Sequence, residues 1–362
     1  MPFGMEHFLL EAGMREARAW IDQLRDTHTL PQAAWVEVLE ARSPALSQYV
    51  CEQARQVRHA VYGRDVYIRG LIEISNYCKN NCYYCGIRRD NRAASRYRLT
   101  DEEILSCAEQ GYAWGFRTFV LQGGEDPFDT DERLCGLIKT LKAQHPDCAI
   151  TLSLGERDEQ SYRRLMEAGA DRYLLRHETA SEAHYATLHP PELRLAHRVA
   201  CLYTLKRLGY QVGSGFMVGS PGQTMADLAA DLKLLEALSP QMVGIGPFIP
   251  HRDTPLAAYP AGSVNLTVYL LGLIRLMLPR VLLPATTALG TLDPQGREKG
   301  ILAGANVIMP NLSPAAVRGK YMLYDNKQST GEEAAEGLQQ LKASMKRIGY
   351  DVVVNRGDYK TD

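Results

Sequence analysis

The chain has 362 residues, 45% hydrophobic and 23% charged, with a formal net charge of −1 at pH 7. That balance fits one large α/β barrel or two ordinary domains, and it gives no electrostatic support for nucleic acid as a partner. The longest apolar run, around Val268 to Ile274, is far short of a membrane span, and nothing resembles a signal peptide, so a cytoplasmic protein without a membrane partner is expected.

Residues 1–62 read as a helical N-terminal extension. Met5 to Arg25 has apolar residues at helical spacing, and Leu30-Pro31 opens another segment. From 63 to 325 short β-rich runs alternate with amphipathic helical stretches. The runs are Val66–Ser75, Thr118–Gly123, Ala149–Gly155, Arg172–Thr179, Gln211–Gly219, Met242–Pro250, Val281–Ala288 and Asn306–Pro310. Between them, Thr100-Asp-Glu-Glu103 has capping-box spacing ahead of a helix from Ile104 to Trp114. Further helices are expected over Arg157–Ala168, Ala196–Leu208, Thr224–Leu238 and Leu266–Leu278, with Gly115, Gly169 and Gly209 closing three of them. Apolar strands separated by helices imply a parallel sheet covered on its outside. Eight such repeats imply a (β/α)8 TIM-type barrel, with its chemistry at the C-terminal ends of the strands. Residues 326–362 read as a C-terminal helix, Gly331 to Ile348, and a tail whose last dozen residues are expected to be poorly ordered.

Cys78, Cys82 and Cys85 follow the first run directly, in a C-x3-C-x2-C pattern that offers three thiolates to one centre. A cubane cluster has four irons, so three ligands leave one iron open. An open position is what a catalytic metal site needs. Structural zinc would want a fourth Cys or His, and none lies between His59 and Cys107 outside the triplet. The other five cysteines, Cys51, Cys107, Cys135, Cys148 and Cys201, are singletons and read as small buried residues rather than a disulfide network. Thiolate-ligated iron fits a reducing, anaerobic cytoplasm. With Tyr84 ahead of the last cysteine, the motif resembles the signature of radical S-adenosylmethionine (SAM) enzymes. The resemblance implies a [4Fe-4S] cluster whose free iron is chelated by SAM, and one-electron cleavage of SAM to a 5′-deoxyadenosyl radical.

Polar and glycine-rich signals recur where the runs end. Leu121-Gln-Gly-Gly-Glu-Asp126 would let a ligand approach the backbone closely, with Glu125 accepting from an ammonium group; a plain turn is the alternative. Thr151 and Ser153 share a face by period-two alternation, and inward hydroxyls need partners from a ligand or neighbouring backbone. Arg176 and Glu178 share one face of the next run and His177 takes the other. An inward Arg176 suits a carboxylate or other anion, against the alternative of a structural pair with Glu178. His177 reads as a hydrogen-bonded supporting residue, and Arg198 as a helix-opening charge. Gly244 and Gly246 allow close approach of an adenine ring or close barrel packing. Thr286 and Thr287 place hydroxyls near the end of the seventh run. Beyond Met309, Tyr321 and Tyr324 either cap the barrel mouth or pack beneath the last helix.

Taken together, these strings resemble the HydE family of [FeFe]-hydrogenase maturases over nearly the whole chain. The resemblance rests on Cys82 to Asn91, Arg172 to Ala180, Gly244 to His251, Pro284 to Ala288 and Gly304 to Asn311. It implies that Cys78, Cys82 and Cys85 hold the cluster, and that Tyr84, Gln122, Gly124, Glu125, Glu178, Arg198 and Met242 surround SAM. It assigns Thr151, Ser153, Arg176, Thr286, Thr287, Met309, Tyr321 and Tyr324 to barrel-interior substrate and anion sites. It also implies a role in building the di-iron subcluster of the hydrogenase H-cluster. The substrate would be an organometallic small molecule, a cysteine-derived iron carbonyl–cyanide precursor, and the partners the maturases HydG and HydF. One departure is the lack of any cysteine from Asp325 to Glu333, which argues against the second cluster of some relatives. The rival readings are a methylornithine synthase-type mutase and a non-catalytic iron–sulfur assembly factor. Biotin synthase is further off, since Cys148 and Cys201 do not sit as ligands of a sulfur-donating cluster.

Overall fold

The computed structural model of the chain describes residues 3–327 and 334–361. Three helices come first: α1 (Phe3–Thr27), α2 (Gln32–Glu40) and α3 (Pro44–Tyr62). Ser43 starts α3 by accepting from Leu46 N at 3.2 Å, with Pro44 at the first helical position, where its missing N–H costs nothing. Ile21, Trp35, Val38 and Val50 of these helices belong to the same buried cluster as the barrel core.

The barrel then alternates. Arg69 divides its first strand into β1 (Asp65–Ile68) and β2 (Gly70–Ser75). There follow α4 (Asp101–Ala113), β3 (Thr118–Gly123), α5 (Asp131–Gln144), β4 (Ala149–Ser153), α6 (Glu159–Glu167) and β5 (Arg172–Leu174). Next come α7 (Glu182–Leu188), α8 (Leu195–Leu208), β6 (Gln211–Ser214), β7 (Met217–Val218), α9 (Met225–Leu238), β8 (Met242–Val243) and β9 (Gly246–Pro247). The chain ends with α10 (Val264–Met277), α11 (Thr287–Leu292), α12 (Gly296–Leu302), β10 (Val307–Ile308), α13 (Ala315–Arg318), α14 (Ala334–Arg347) and β11 (Asp351–Val353). Here α10 lies close to α3 and α2: a Cβ on Gly272 would sit 2.6 Å from Val50 of α3, and Tyr269 donates to the Val38 carbonyl of α2 at 2.9 Å. None of the described helices is long and apolar enough to cross a membrane.

The central sheet is parallel throughout, in the order β2-β3-β4-β5-β6-β8. Beyond it the circuit runs on through isolated parallel bridges, Met242 to Leu282, Pro284 to Val307 and Leu71 to Asn311, while β1 pairs with β10. The architecture is TIM-like, but the last positions meet by single bridges and not by a continuous closed ladder. Proline accounts for part of this, because Pro247, Pro284 and Pro310 bring no N–H to a ladder.

Several expected elements appear with their expected ends. Thr100 and Glu103 form a reciprocal capping box on α4, and Gly115, Gly169 and Gly209 all take positive φ beyond their helices. Other expectations need correction. Helix α5 went unread, although Thr130 caps it by accepting from Arg133 N at 3.3 Å. The seventh run does not extend to Ala288 as strand, because Thr286 is the N-cap of α11 and the chain is helical from Thr287. The expected start of the last helix at Gly331 lies outside the described residues.

The end of the chain is also ordered differently from expectation. Strand β11 pairs in parallel with β1, and the segment after it folds under the barrel. There the buried Arg172 donates to Asp358 at 2.5 Å and to Thr118 at 3.1 Å, and Thr118 donates to the Arg356 carbonyl at 2.7 Å. Burial alone would raise the Asp358 carboxyl, but Arg356 and Arg172 hold it below its ordinary value. A depressed folded-state value means stability that is complete above pH 3.8, the unfolded value, and is lost as pH falls through the folded one. Asp358→Asn is expected to cost about 2 kcal/mol in denaturant unfolding at neutral pH, with the deficit shrinking below pH 4.

Candidate active site

The cysteine loop leaves the C-terminal end of β2 and is held from several sides by backbone. Lys79 N donates to the Glu125 carbonyl, Tyr83 N to the Leu188 carbonyl and Gly86 N to the Leu323 carbonyl, each at 2.9 Å. Arg96 donates to the carbonyls of Asn76, Ile87, Arg88 and Asn91, which satisfies four loop acceptors with one guanidinium. Below the loop, Arg98 forks onto Asp126 at 2.7 and 2.9 Å, and Ser75 Oγ donates to the same carboxylate at 2.7 Å. Gly124 lets the neighbouring strand end approach: a Cβ there would stand 2.1 Å from the Tyr77 carbonyl oxygen and 2.7 Å from Cys78 Cβ.

All three thiols resist ionisation. Burial pushes Cys85 up to about 12, with the Cys78 charge adding to the effect, and burial raises Cys78 and Cys82 as well. A cationic metal centre removes that penalty, because thiolates are then neutralised by the metal. Three thiols on one short loop are the donor set that a [4Fe-4S] cluster with one open iron takes.

Around the thiols lies a shell of charge and aromatic surface. Burial drives the Tyr84 hydroxyl well up, and the charges of Glu178, Cys82, Arg198 and Cys85 all reach it. Tyr84 meets the edge of His189, which stacks on Tyr185 with ring centres 3.9 Å apart. Burial and then the Arg198 charge push His189 down to about 3, so this ring is neutral. Glu178 takes φ = 67°, a left-handed conformation unusual for a side-chain-bearing residue and typical of strained functional positions. It pairs with Arg176 at 3.1 Å. Arg198, 8% exposed, pairs with Glu156 at 2.8 Å and donates to the Arg176 carbonyl at 3.1 Å. Burial works against its charge, yet Tyr185, Glu156 and Tyr84 hold it above its ordinary value. Glu125 accepts from Glu156 N at 3.0 Å and pairs with Lys79 at 3.2 Å, against Gly155, where a Cβ would collide with its carboxylate.

The remaining expected residues divide. Tyr321 is buried at the mouth, within 3.5 Å of Gln122 and near Cys85 and Glu73; burial raises Tyr324 to about 12 beside Arg297 and Arg176. Of the two options for these tyrosines, the structure takes the mouth. The hydroxyls of Thr151 and Thr286 are buried without a hydrogen-bond partner, so of the two options raised for Thr151, ligand or backbone, backbone does not satisfy it. Ser153 lies two residues from Thr151 on β4, opposite Gln122 of β3. Thr287 opens α11, and Met309 packs with Met242, Leu282 and Val307. Met242, which the resemblance puts beside SAM, lines a small cavity with Arg69, Thr151 and Arg172, and its sulfur accepts from Arg69 at 2.6 Å. His177 is fully buried between Ser214 Oγ at 2.9 Å and Asp231 at 3.2 Å, the supporting role expected of it. Sequence reasoning passed over Glu156, His189 and the buried Glu73, which pairs with Lys327 and accepts from Asn311 at 2.8 Å. A lone carboxylate inside the apolar Gly70-Leu-Ile-Glu-Ile-Ser75 was the available signal for Glu73.

A family model described as the radical SAM superfamily matches residues 72–235. The chain is 46% identical over 291 residues to the [FeFe] hydrogenase maturase subunit HydE of Thermotoga maritima, covering 80% of this chain and 83% of that protein. It is 29% identical over 261 residues to the 3-methylornithine synthase of Methanosarcina acetivorans, covering 70% and 72%. A crystal structure of methylornithine synthase (PylB) superposes with a TM-score of 0.80 at 26% identity, covering 92% of this chain and 97% of that one. The barrel is shared by both groups, and sequence identity over most of the chain separates them. The chain belongs to the HydE family of [FeFe] hydrogenase maturases, within the radical SAM superfamily.

Proposed function

We propose that this radical SAM enzyme acts in assembly of the di-iron subcluster of the [FeFe]-hydrogenase active site, on a cysteine-derived iron carbonyl–cyanide precursor, alongside HydG and HydF. The observation that carries the reading is the convergence of three half-buried thiols with Tyr84, Glu178 and Arg198 at the C-terminal end of one parallel sheet. When bound through Cys78, Cys82 and Cys85, a [4Fe-4S] cluster supplies one electron, and SAM supplies the 5′-deoxyadenosyl group as a radical. The protein's part is to bind, orient and exclude water. Glu125 is placed to accept from an ammonium, and Arg198 to hold a carboxylate or to fix Glu156. Gly124 and Gly155 keep the strand ends free of side chains. Tyr84, set edge-on to the stacked His189 and Tyr185, completes a neutral ring surface that keeps water from the reacting atoms.

Deeper in the barrel, the unpartnered hydroxyls of Thr151 and Thr286 and the half-exposed Arg176 suit an anionic substrate with several acceptor atoms. The reading is tested by an anaerobic maturation mixture of hydrogenase apoprotein, HydG, HydF and SAM. Hydrogenase activity is expected only when this chain is present. Activity without it, or formation of 3-methylornithine by the chain, overturns the assignment.

A further inference from the structure

Outside the cysteine loop, Glu156, His197 and Cys201 bring a carboxylate oxygen, an imidazole nitrogen and a thiol sulfur within 4.8 Å of one another. His197 and Cys201 stand four residues apart on α8, one turn, so their side chains share a face. Glu156 comes to them from the loop after β4. The distances are 2.6 Å from His197 Nδ1 to Glu156 Oε2 and 4.0 Å from the same Nδ1 to Cys201 Sγ.

The pattern of contacts discriminates between two kinds of chemistry. A nucleophilic relay needs the thiol on one ring nitrogen and the carboxylate on the other, so that a proton passes through the imidazole. Here a single nitrogen, Nδ1, faces both groups, and Nε2 of this largely exposed ring takes no part. Three donors of different kinds within 4.8 Å of one another are the makings of a chelate. We propose that Glu156, His197 and Cys201 bind a divalent cation of borderline softness, zinc or ferrous iron, with water completing the coordination. The mixed sulfur, nitrogen and oxygen set selects such an ion over magnesium or calcium, which prefer all-oxygen surroundings.

Neighbouring groups are compatible with this ion. Arg198 Nε occupies Glu156 Oε1 at 2.8 Å and leaves Oε2, the atom on the imidazole side, available to the metal. Burial raises the Cys201 thiol, so the sulfur keeps its proton unless a metal replaces it. Cys201 Sγ otherwise donates to the Arg157 carbonyl at 3.8 Å and lies beside the Tyr162 hydroxyl, contacts that a metal would replace. Occupied, the site would tie the loop after β4 to α8, the helix that carries Arg198. The proposal does not depend on the SAM-site assignment.

Equilibrium dialysis of the anaerobically prepared, cluster-loaded chain against zinc chloride tests it. One zinc per chain beyond the cluster iron is expected. His197→Gln and Cys201→Ser should each weaken zinc retention at least about tenfold, since even outer-shell changes commonly cost that much. Iron and sulfide content should stay unchanged in His197→Gln, a largely exposed position that does not threaten folding. Cobalt used in place of zinc should give a thiolate-to-metal absorption band that disappears in Cys201→Ser. Absence of bound zinc in the unmodified chain overturns the proposal, and so does zinc retained undiminished by His197→Gln, which would place the ion on other thiols.

Discussion

Cys82→Ala is expected to abolish both the thiolate-to-iron absorbance of anaerobically reconstituted protein and the formation of 5′-deoxyadenosine. Among the three loop thiols, Cys82 is the one whose environment links both halves of the site, since the charges of Cys85, Arg198, Cys78 and Glu178 all reach it. Iron–sulfur clusters are held by thiolates, and a cubane left with two protein ligands has two labile irons in place of one. The loop itself does not depend on the thiol, because Arg96 and the backbone contacts of Lys79, Tyr83 and Gly86 hold it in place. The variant should therefore fold and remain soluble while losing its iron. Cys107→Ala is the matching control. That thiol is buried on α4 and packs in the core, so its loss should cost about 1 kcal/mol of stability and leave iron content unchanged. Equal iron loss in both variants would mean that the effect at Cys82 is structural.

The second large effect is expected at Arg198. Its guanidinium is buried and paired with Glu156, and it is the positive charge that reaches Tyr84 alongside the negative charge of Glu178. Arg198→Ala leaves Glu156 with His197 alone beside it, and breaking a buried pair costs up to roughly 3–5 kcal/mol. If about 3 kcal/mol of that falls on ligand binding, SAM affinity drops roughly 10²-fold at 1.4 kcal/mol per decade. Isothermal titration of SAM into the cluster-loaded protein reads this directly. Arg198→Lys should recover charge but not the fork, and so restore affinity only in part. SAM binding within threefold of the unmodified chain would assign Arg198 to barrel packing alone.

How much of this was legible in the sequence depends on the range of the interaction. The cysteine loop, the capping box at Thr100 and the glycine caps are local patterns, and each appears where its spacing placed it. Strand ends were harder to read. Beyond Leu174 and Ser214 the backbone turns away from the ladder, and a Cβ on Gly215 would collide with the Gly244 carbonyl at 2.0 Å. Alternating residue types therefore continue past the point where the continuous ladder gives way to single bridges such as Glu178 to Phe216. Pairings across the fold were not legible at all. The Arg198–Glu156 and Arg172–Asp358 pairs join residues far apart in the chain, and only closure of the barrel and return of the tail bring them together. A polar C-terminal segment looks like a loose tail until Arg172 and Thr118 provide its partners.

The most direct test of the central claim is electron paramagnetic resonance of the dithionite-reduced protein, recorded with and without SAM. A cluster with three cysteine ligands and one open iron should give a [4Fe-4S]⁺ signal that changes shape and g values when SAM is added. A signal indifferent to SAM, or the absence of any cluster signal from protein that carries zinc on Cys78, Cys82 and Cys85, would contradict it.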